Sequence, residues 1–387
     1  MKMRFCYTIL YATLILLSIL TGSCSNRQQH EYEKVGAVAV SLDYSKRIRL
    51  YDHSDGWVEV EIVNPWDTTK LLQRLALIPD SMSDIPLNIP SDAIILKTPL
   101  KRALVTTSAH INLIKELGAR SSIAGVTDAS YIKDEYILAG LSNNNIMDCG
   151  ATDAPTIERV ISLESDGILL SPYENNGDYG KLKQLSVPII FTSDYMEPDP
   201  LGRAEWMKYY GMLFGRKNEA DSLFKIVSDR YNELKQRINS TLNVGNRRPK
   251  VLLDLPYQGV WYVNGAESIN DIFIRLAGGI NPFSEKEKKG YVPYAPERVL
   301  LESGDADVWL IKYYSDKDLT MSNLKRDNVI AEQFEAFKKG KVYGVNTEKE
   351  MYFEEIPFHP EWLLGDMVEI LHPDGHTALR YFHKLPE

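Results

Sequence analysis

The stretch GRKNEADSLFKIVSDRYNELKQRIN, Gly215–Asn239, decides how the chain is organised. Ala220, Leu223, Phe224, Val227, Tyr231, Leu234 and Ile238 recur at the three-and-four spacing of one buried helical face, with Lys, Glu, Asp and Arg on the other. A helix of that extent spans roughly 30 Å, the width of a small domain. On either side the sequence alternates short apolar strands with helices, so the helix reads as a rigid strut between two α/β lobes. A crossover helix inside one sheet is the competing reading of this stretch alone.

N-terminal to the strut, Arg102 to Val105, Ser122 to Val126, Gly167 to Leu170 and Pro188 to Phe191 read as strands. Between them lie helical patterns at His110 to Leu117 and Thr156 to Leu163. Such alternation implies a parallel sheet covered on both faces. Asp199-Pro200 supplies an N-cap and a first helical residue, predicting a helix to about Phe214. Beyond the strut, Lys250 to Leu255, Val308 to Ile311 and Lys341 to Val345 form a second series. The segment from Pro155 to Leu169 echoes loosely from Pro296 to Leu310, its Glu-Arg-Val triplets 139 residues apart (297 minus 158). Two lobes of similar construction follow from that spacing.

The 387 residues are 44% hydrophobic and 25% charged, enough for two cores. A net charge of −9 without clustered Lys and Arg argues against nucleic-acid binding. Lys2 and Arg4 precede an apolar run from Tyr7 to Leu20, which ends in Leu20-Thr21-Gly22-Ser23-Cys24. This is the pattern of an export signal, too short to span a bilayer comfortably. The Leu-x-Gly-x-Cys resembles a bacterial lipobox, in which cleavage leaves Cys24 as the lipid-carrying first residue. Cys149 would then remain alone, a packed small side chain rather than a reactive one. The expected divisions are a signal peptide at 1–23, a tether at 24–34 and an N-terminal extension at 35–98. An N-terminal lobe at 99–214, the connecting helix at 215–241 and a C-terminal lobe at 248–387 follow. Within the extension Arg47–Tyr51 and Trp57–Ile62 alternate about a His53-Ser54-Asp55-Gly56 turn, predicting a hairpin. Pro79, Pro86, Pro90 and Pro99 predict a looped approach to the first lobe.

In these features the chain resembles the substrate-binding proteins of ABC importers for iron chelates and cobalamin. The resemblance covers roughly Leu100 to Leu385. It rests on the Glu158 and Glu297 segments, on Tyr209-Tyr210-Gly211-Met212-Leu213-Phe214-Gly215-Arg216, on Asn270 to Gly279 and on Leu371-His372-Pro373. It implies two Rossmann-like lobes with central parallel sheets joined by one long rigid α-helix, the class III periplasmic-binding-protein architecture. It also implies a monomeric, non-enzymatic, lipid-anchored protein facing the periplasm, with the membrane leaflet left open. Such a protein captures an iron chelate, a haem or cobalamin between its lobes, carries no cofactor and delivers the ligand to ABC permease subunits. Glu158 and Glu297 occupy the positions at which the family docks onto permease arginines.

Ligands of open α/β sheets bind at the carboxyl ends of the strands. The loops there offer Tyr131, Tyr173, Tyr257, Trp261, Tyr262, Tyr313 and Phe353, rigid amphipathic area suited to a large, partly polar ligand. Cations in those loops are scattered, at Lys133, Lys181, Lys312 and Lys349, which favours cobalamin or a weakly charged chelate over a polyanionic one. A bare Zn or Mn site would use His110, His359, His372 or His376, which share no helical ligand spacing. No nucleophile elbow, phosphate loop or Cys-His pair appears, and a carboxylate-based hydrolase is the remaining enzyme alternative.

Overall fold

The computed structural model describes residues 36–174, 180–243, 247–287, 290–375 and 378–387. The signal peptide, the tether and Cys24 lie outside the described residues. Contacts divide the chain into Met1–Ala37 and Val38–Glu387, and the second unit carries every element below.

The strut is a helix from Lys217 to Asn243. Ala220, Phe224, Val227, Tyr231, Leu234 and Ile238 are all at most 5% exposed. It packs on the helices Pro200–Glu205 and Met207–Leu213 before it and on Pro360–Leu371 near the C-terminus. A Cβ on Gly211 would come within 2.5 Å of the Ala220 Cβ and 2.9 Å of the Arg216 carbonyl oxygen, so glycine is what allows that turn to close. The sequence predicts one helix from Pro200 to Phe214, whereas the structure divides it at Trp206, whose indole Nε1 donates to Glu197 at 2.8 Å.

The N-terminal lobe is a five-stranded parallel sheet. Its spatial order is Ile189–Phe191, Gly167–Leu170, Ala103–Val105, Ile123–Val126 and Met147–Asp148. The first strand in sequence lies at the centre, so the order reverses beside it, and a crevice opens at the carboxyl ends there. In the C-terminal lobe Val251–Leu253, Val308–Tyr313 and Val342–Asn346 are parallel, and His383–Lys384 closes the edge antiparallel. A hairpin of Trp261–Asn264 with Tyr291–Tyr294 stands beside it. The echoed helices are Ile157–Ser162 and Pro296–Ser303, each burying its valine, Val160 and Val299, completely.

The extension is more structured than a hairpin and loops. Ile48–His53 and Val58–Val63 pair antiparallel as expected, but Leu71–Pro79 and Ile94–Thr98 add two further strands, the last pair parallel. Both faces are covered: Leu50, Val60, Leu75 and Leu77 join the main core, while Trp57, Ala76 and Ile78 pack under Met82 and Ile89. A strand buried on both faces loses its alternation, which is why Leu71–Pro79 does not declare itself.

Two buried carboxylates fasten this sheet to the lobe. Glu205 accepts the backbone N–H groups of Asp43, Tyr44 and Ser45 at 2.8–2.9 Å. Glu197 accepts those of Lys46 and Arg47, the shorter contacts at 2.9 and 2.8 Å. Gln73 imitates a neighbouring strand, its amide donating to the Ile189 carbonyl at 2.8 Å and accepting from the Phe191 N–H at 2.9 Å. Glu205→Ala strands three backbone donors at once. It should destabilise the protein by about 2–4 kcal/mol in urea titration and raise hydrogen exchange first at residues 43–45.

Candidate functional site

A cavity of about 790 Å³ opens at the carboxyl ends of the N-terminal sheet. Thr107 and His110 line it from the cap and first turn of the helix after the central strand, Asp128 from the loop after Ile123–Val126, Ser171, Pro172 and Tyr173 from that after Gly167–Leu170, and Asp194 and Tyr195 from that after Ile189–Phe191. The strand ends themselves are tied by hydroxyl groups. Thr106 donates to the Leu169 carbonyl at 2.8 Å, Thr127 meets Thr152 at 2.5 Å, and Ser171 meets Thr192 at 3.1 Å. Short polar side chains here satisfy groups that no further strand residue reaches, and they hold the rim fixed.

One wall is a buried polar network. His110 Nε2 lies 2.9 Å from Asp194 Oδ1, Tyr210 donates its hydroxyl to the same oxygen at 3.1 Å, and Arg203 Nε donates to Asp194 Oδ2 at 3.0 Å. Burial alone would raise the Asp194 carboxyl, but His110 and Arg203 outweigh it and hold it below the usual carboxylate range. The guanidinium is thereby fixed against the cavity, and no other partner of the Arg203 side chain is found among the described residues. Aspartate and arginine in this arrangement form a rigid polar wall able to orient an acceptor group on a ligand.

The seven aromatic candidates separate. Tyr173 lines the cavity, beside Tyr195, whose hydroxyl donates to the Pro172 carbonyl. Tyr131, Tyr257, Tyr262 and Phe353 are exposed but lie outside the cavity wall. Tyr313 is half-buried and accepts the Leu319 N–H at 3.1 Å. Trp261 is not available to a ligand. It is 1% exposed, stacked on Trp309 with centroids 5.8 Å apart, and donates to the Leu253 carbonyl at 2.9 Å. Strand alternation turns Trp261 and Val263 into the core and Tyr262 outward. His110, Asp194, Arg203 and Tyr195 are cavity residues that the aromatic reading did not select. Their signal in the sequence is position: each of the first two follows a strand's carboxyl end by a few residues.

The cations are mostly engaged. Lys312 donates to Asp254 at 2.6 Å, Lys349 to Asp318 at 2.8 Å, and Lys133 to the carbonyls of Thr347 and Glu350 at 2.7 and 2.8 Å. Lys181 lines the cavity. Among the described residues no three His, Cys, Asp or Glu side chains converge as an ion's ligands would.

Glu158 and Glu297 are exposed in the first turns of their helices and make no side-chain pair among the described residues. The arginine beside each is drawn away. Arg159 donates to the Asp148 carbonyl at 2.8 Å, and Arg298 pairs with Glu302 at 3.0 Å.

The family profile that describes a periplasmic binding protein matches residues 104–348, which hold the cavity and most of both lobes. The chain belongs to the periplasmic binding protein family. An uncharacterized lipoprotein of Methanocaldococcus jannaschii is 28% identical over 306 residues, covering 74% of this chain and 70% of its own. A second uncharacterized lipoprotein of that organism is 24% identical over 378 residues, 94% of this chain and 91% of the relative. Among solved structures a periplasmic heme binding protein from Pseudomonas aeruginosa superposes with a TM-score of 0.57 at 16% identity, over 74% of this chain and 99% of that one. A periplasmic vitamin B12 binding protein of Vibrio cholerae gives 0.51 at 14% identity, over 70% and 97%. These structural likenesses establish the class III fold with its single connecting helix. The sheet of the extension precedes the residues that the family profile matches.

The helix Ser108–Glu116 that carries His110 ends on a buried histidine held between two carboxylates. His359 Nε2 lies 2.9 Å from Glu116, its Nδ1 2.9 Å from Glu361, and its ring stacks on Trp362 at 3.7 Å. Burial pulls the imidazole down, but the two carboxylates overcome it and raise His359 to about 9. A raised value contributes stability in full below the ordinary histidine range and loses it as pH climbs through about 9. Denaturation across pH 6 to 10 should show this loss, on the order of 3 kcal/mol, and His359→Gln should flatten it.

Proposed function

We propose that this chain is the lipid-anchored binding component of an ABC importer, not an enzyme, and that it takes an iron chelate, a haem or cobalamin at the cavity and passes it to permease subunits. The observation that carries this reading is the cavity itself. It stands at the strand ends where the sheet order reverses, and its lining sets apolar side chains such as Ile157, Leu170 and Leu182 beside a fixed aspartate–arginine pair. Its volume falls in the range of roughly 300–1,000 Å³ usual for small-molecule sites. With Lys133, Lys312 and Lys349 engaged by the protein, Arg203 and Lys181 are the cations on the cavity wall, which supports a ligand of low net charge. Among the described residues no donor set converges, which supports a chelated over a bare metal ion.

Cys24 within its lipobox is the anchor, on the periplasmic side, as the lipoprotein naming of the relatives supports. Among the described residues no helix is long and apolar enough to cross a membrane. Tyr173 is the ligand contact on the cavity wall, and Tyr131, Tyr257, Tyr262, Tyr313 and Phe353 are candidate contacts outside that wall. Glu158 and Glu297, each without a side-chain pair among the described residues, are the permease contacts, one on each lobe. Exposed carboxylates contribute about 0–1 kcal/mol each, so they register the complex more than they tighten it.

Calorimetric titration of the purified protein with cyanocobalamin, a panel of ferric chelates and haem tests the ligand reading. One of them should bind one-to-one, and Tyr173→Ala should weaken that binding by roughly five- to tenfold. Binding of zinc or manganese with none of the panel would replace the chelate reading by metal capture. Glu158→Ala combined with Glu297→Ala should abolish uptake while leaving ligand affinity unchanged, and lost affinity would contradict the docking role.

A further inference from the structure

Lys133 lies in the loop after the strand Ile123–Val126, at the cleft end of the first lobe. Thr347 and Glu350 follow the strand Val342–Asn346, at the cleft end of the second. The lysine ammonium bridges them, donating to the Thr347 carbonyl at 2.7 Å and the Glu350 carbonyl at 2.8 Å. Glu354 lies 3.6 Å away, and its carboxylate is 8% exposed. The next residue N-terminal, Ile132, is buried, and the next C-terminal, Asp134, caps a helix and pairs with Lys115 at 2.8 Å. The lysine is therefore presented from a fixed backbone, not from a wandering loop. On the far side, Glu354 belongs to the short helix Tyr352–Glu355, which carries Phe353 and packs on the cavity helix Ser108–Glu116.

We infer that Lys133 is an interlobe latch: it holds the second lobe, through residues 347–354, against the first before any ligand arrives, and its release sets how far the cleft opens for ligand exchange. Three features carry this. The contacts join segments 214 and 217 residues apart, beside the packing of Tyr352–Glu355 on Ser108–Glu116 and away from the strut. Opening would leave two carbonyl groups and a nearly buried carboxylate without their cation, an outcome far costlier than losing a surface ion pair. The same contacts keep the ammonium out of the ligand site, so a residue that reads as a candidate ligand cation acts on the protein instead.

The inference rests on the space between the lobes being the ligand cleft, yet its test needs no ligand. Spin labels at Ile161→Cys and Leu301→Cys, exposed positions on opposite lobes, report the interlobe distance by pulsed electron resonance in the full chain with Cys6 and Cys24 replaced by Ser. Cys149 is buried and its thiol is pushed up to about 11, mainly by burial, so it stays unlabelled. The parent should give one narrow distance distribution. Lys133→Met, which keeps the aliphatic stem, should raise the longer-distance population about tenfold, and Lys133→Arg should not. Glu354→Gln should shift the population in the same direction by less, since the carbonyl contacts remain. A distribution unchanged in both Lys133→Met and Glu354→Gln overturns the latch, whatever the titration finds. A titration without binding, alongside a Lys133-dependent distance, removes the ligand reading and leaves the latch.

Discussion

Everything in the second unit depends on one helical face. Ala220, Phe224, Val227, Tyr231, Leu234 and Ile238 run down the strut and join side chains of both lobes in one continuous core. Val251, Val308 and Val345 of the C-terminal sheet belong to that core, as do Val105, Val126 and Ile190 of the N-terminal one. Burying the five larger strut side chains at about 1.5–3 kcal/mol each outweighs any polar contact between the lobes, even after allowing for a compact unfolded state. A connector fixed in this way cannot serve as a free hinge. Relative motion of the lobes is restricted to small tilts about the strut, and polar contacts at the cleft rim, individually modest, become the terms able to decide among tilts that the core tolerates equally.

The extension shows the opposite balance, with direction supplied by hydrogen bonds. Residues 43–47 cross the helix Pro200–Glu205 so closely that a Cβ on Gly202 would sit 2.9 Å from the Tyr44 carbonyl oxygen. Their N–H groups end on Glu197 and Glu205, and Tyr44 reaches the strut, where its hydroxyl accepts from Asn232 at 3.0 Å and its ring meets Phe224 edge-on. Burial raises the Glu197 carboxyl above its ordinary value, and the donors of Trp206, Lys46 and Arg47 oppose that rise. Two carboxylates, Glu205 on the helix Pro200–Glu205 and Glu197 just before it, thus choose where the chain enters the lobe, and the first sheet is built outward from that point.

How much of this is legible in the sequence follows from the range of the interactions. The strut face, the hairpin and the paired helices at Glu158 and Glu297 declare themselves through periodicity, turn residues and a proline near each paired helix's start, which act within a few residues. Leu71–Pro79 hides because burial on two faces erases its alternation. Trp261 misleads for a related reason: an aromatic residue between a strand end and a turn looks exposed, and only the register with Tyr291–Tyr294 reveals which of Trp261 and Tyr262 faces inward. The cavity wall is least legible, since His110 and Asp194 meet across 84 residues and nothing near either one announces the other.

The charges around the cleft extend the same reasoning to specificity. Lysine residues in strand-end loops suggest anion capture when counted one by one, and the count changes once their partners are known. Lys312 neutralises Asp254, Lys349 neutralises Asp318, and Lys133 is engaged by carbonyl groups of the opposite lobe. Arg203 remains at the cavity with one nitrogen already committed to Asp194, and Asp128 and Asp153 stand on the same lining. A strongly anionic chelate entering there would meet carboxylates as well as cations and would lose its hydration without full replacement. A ligand that is mostly apolar, with a few acceptors to place against Arg203 and the rim hydroxyls, meets no such cost, and that asymmetry separates ligands more sharply than the number of aromatic side chains around the cleft.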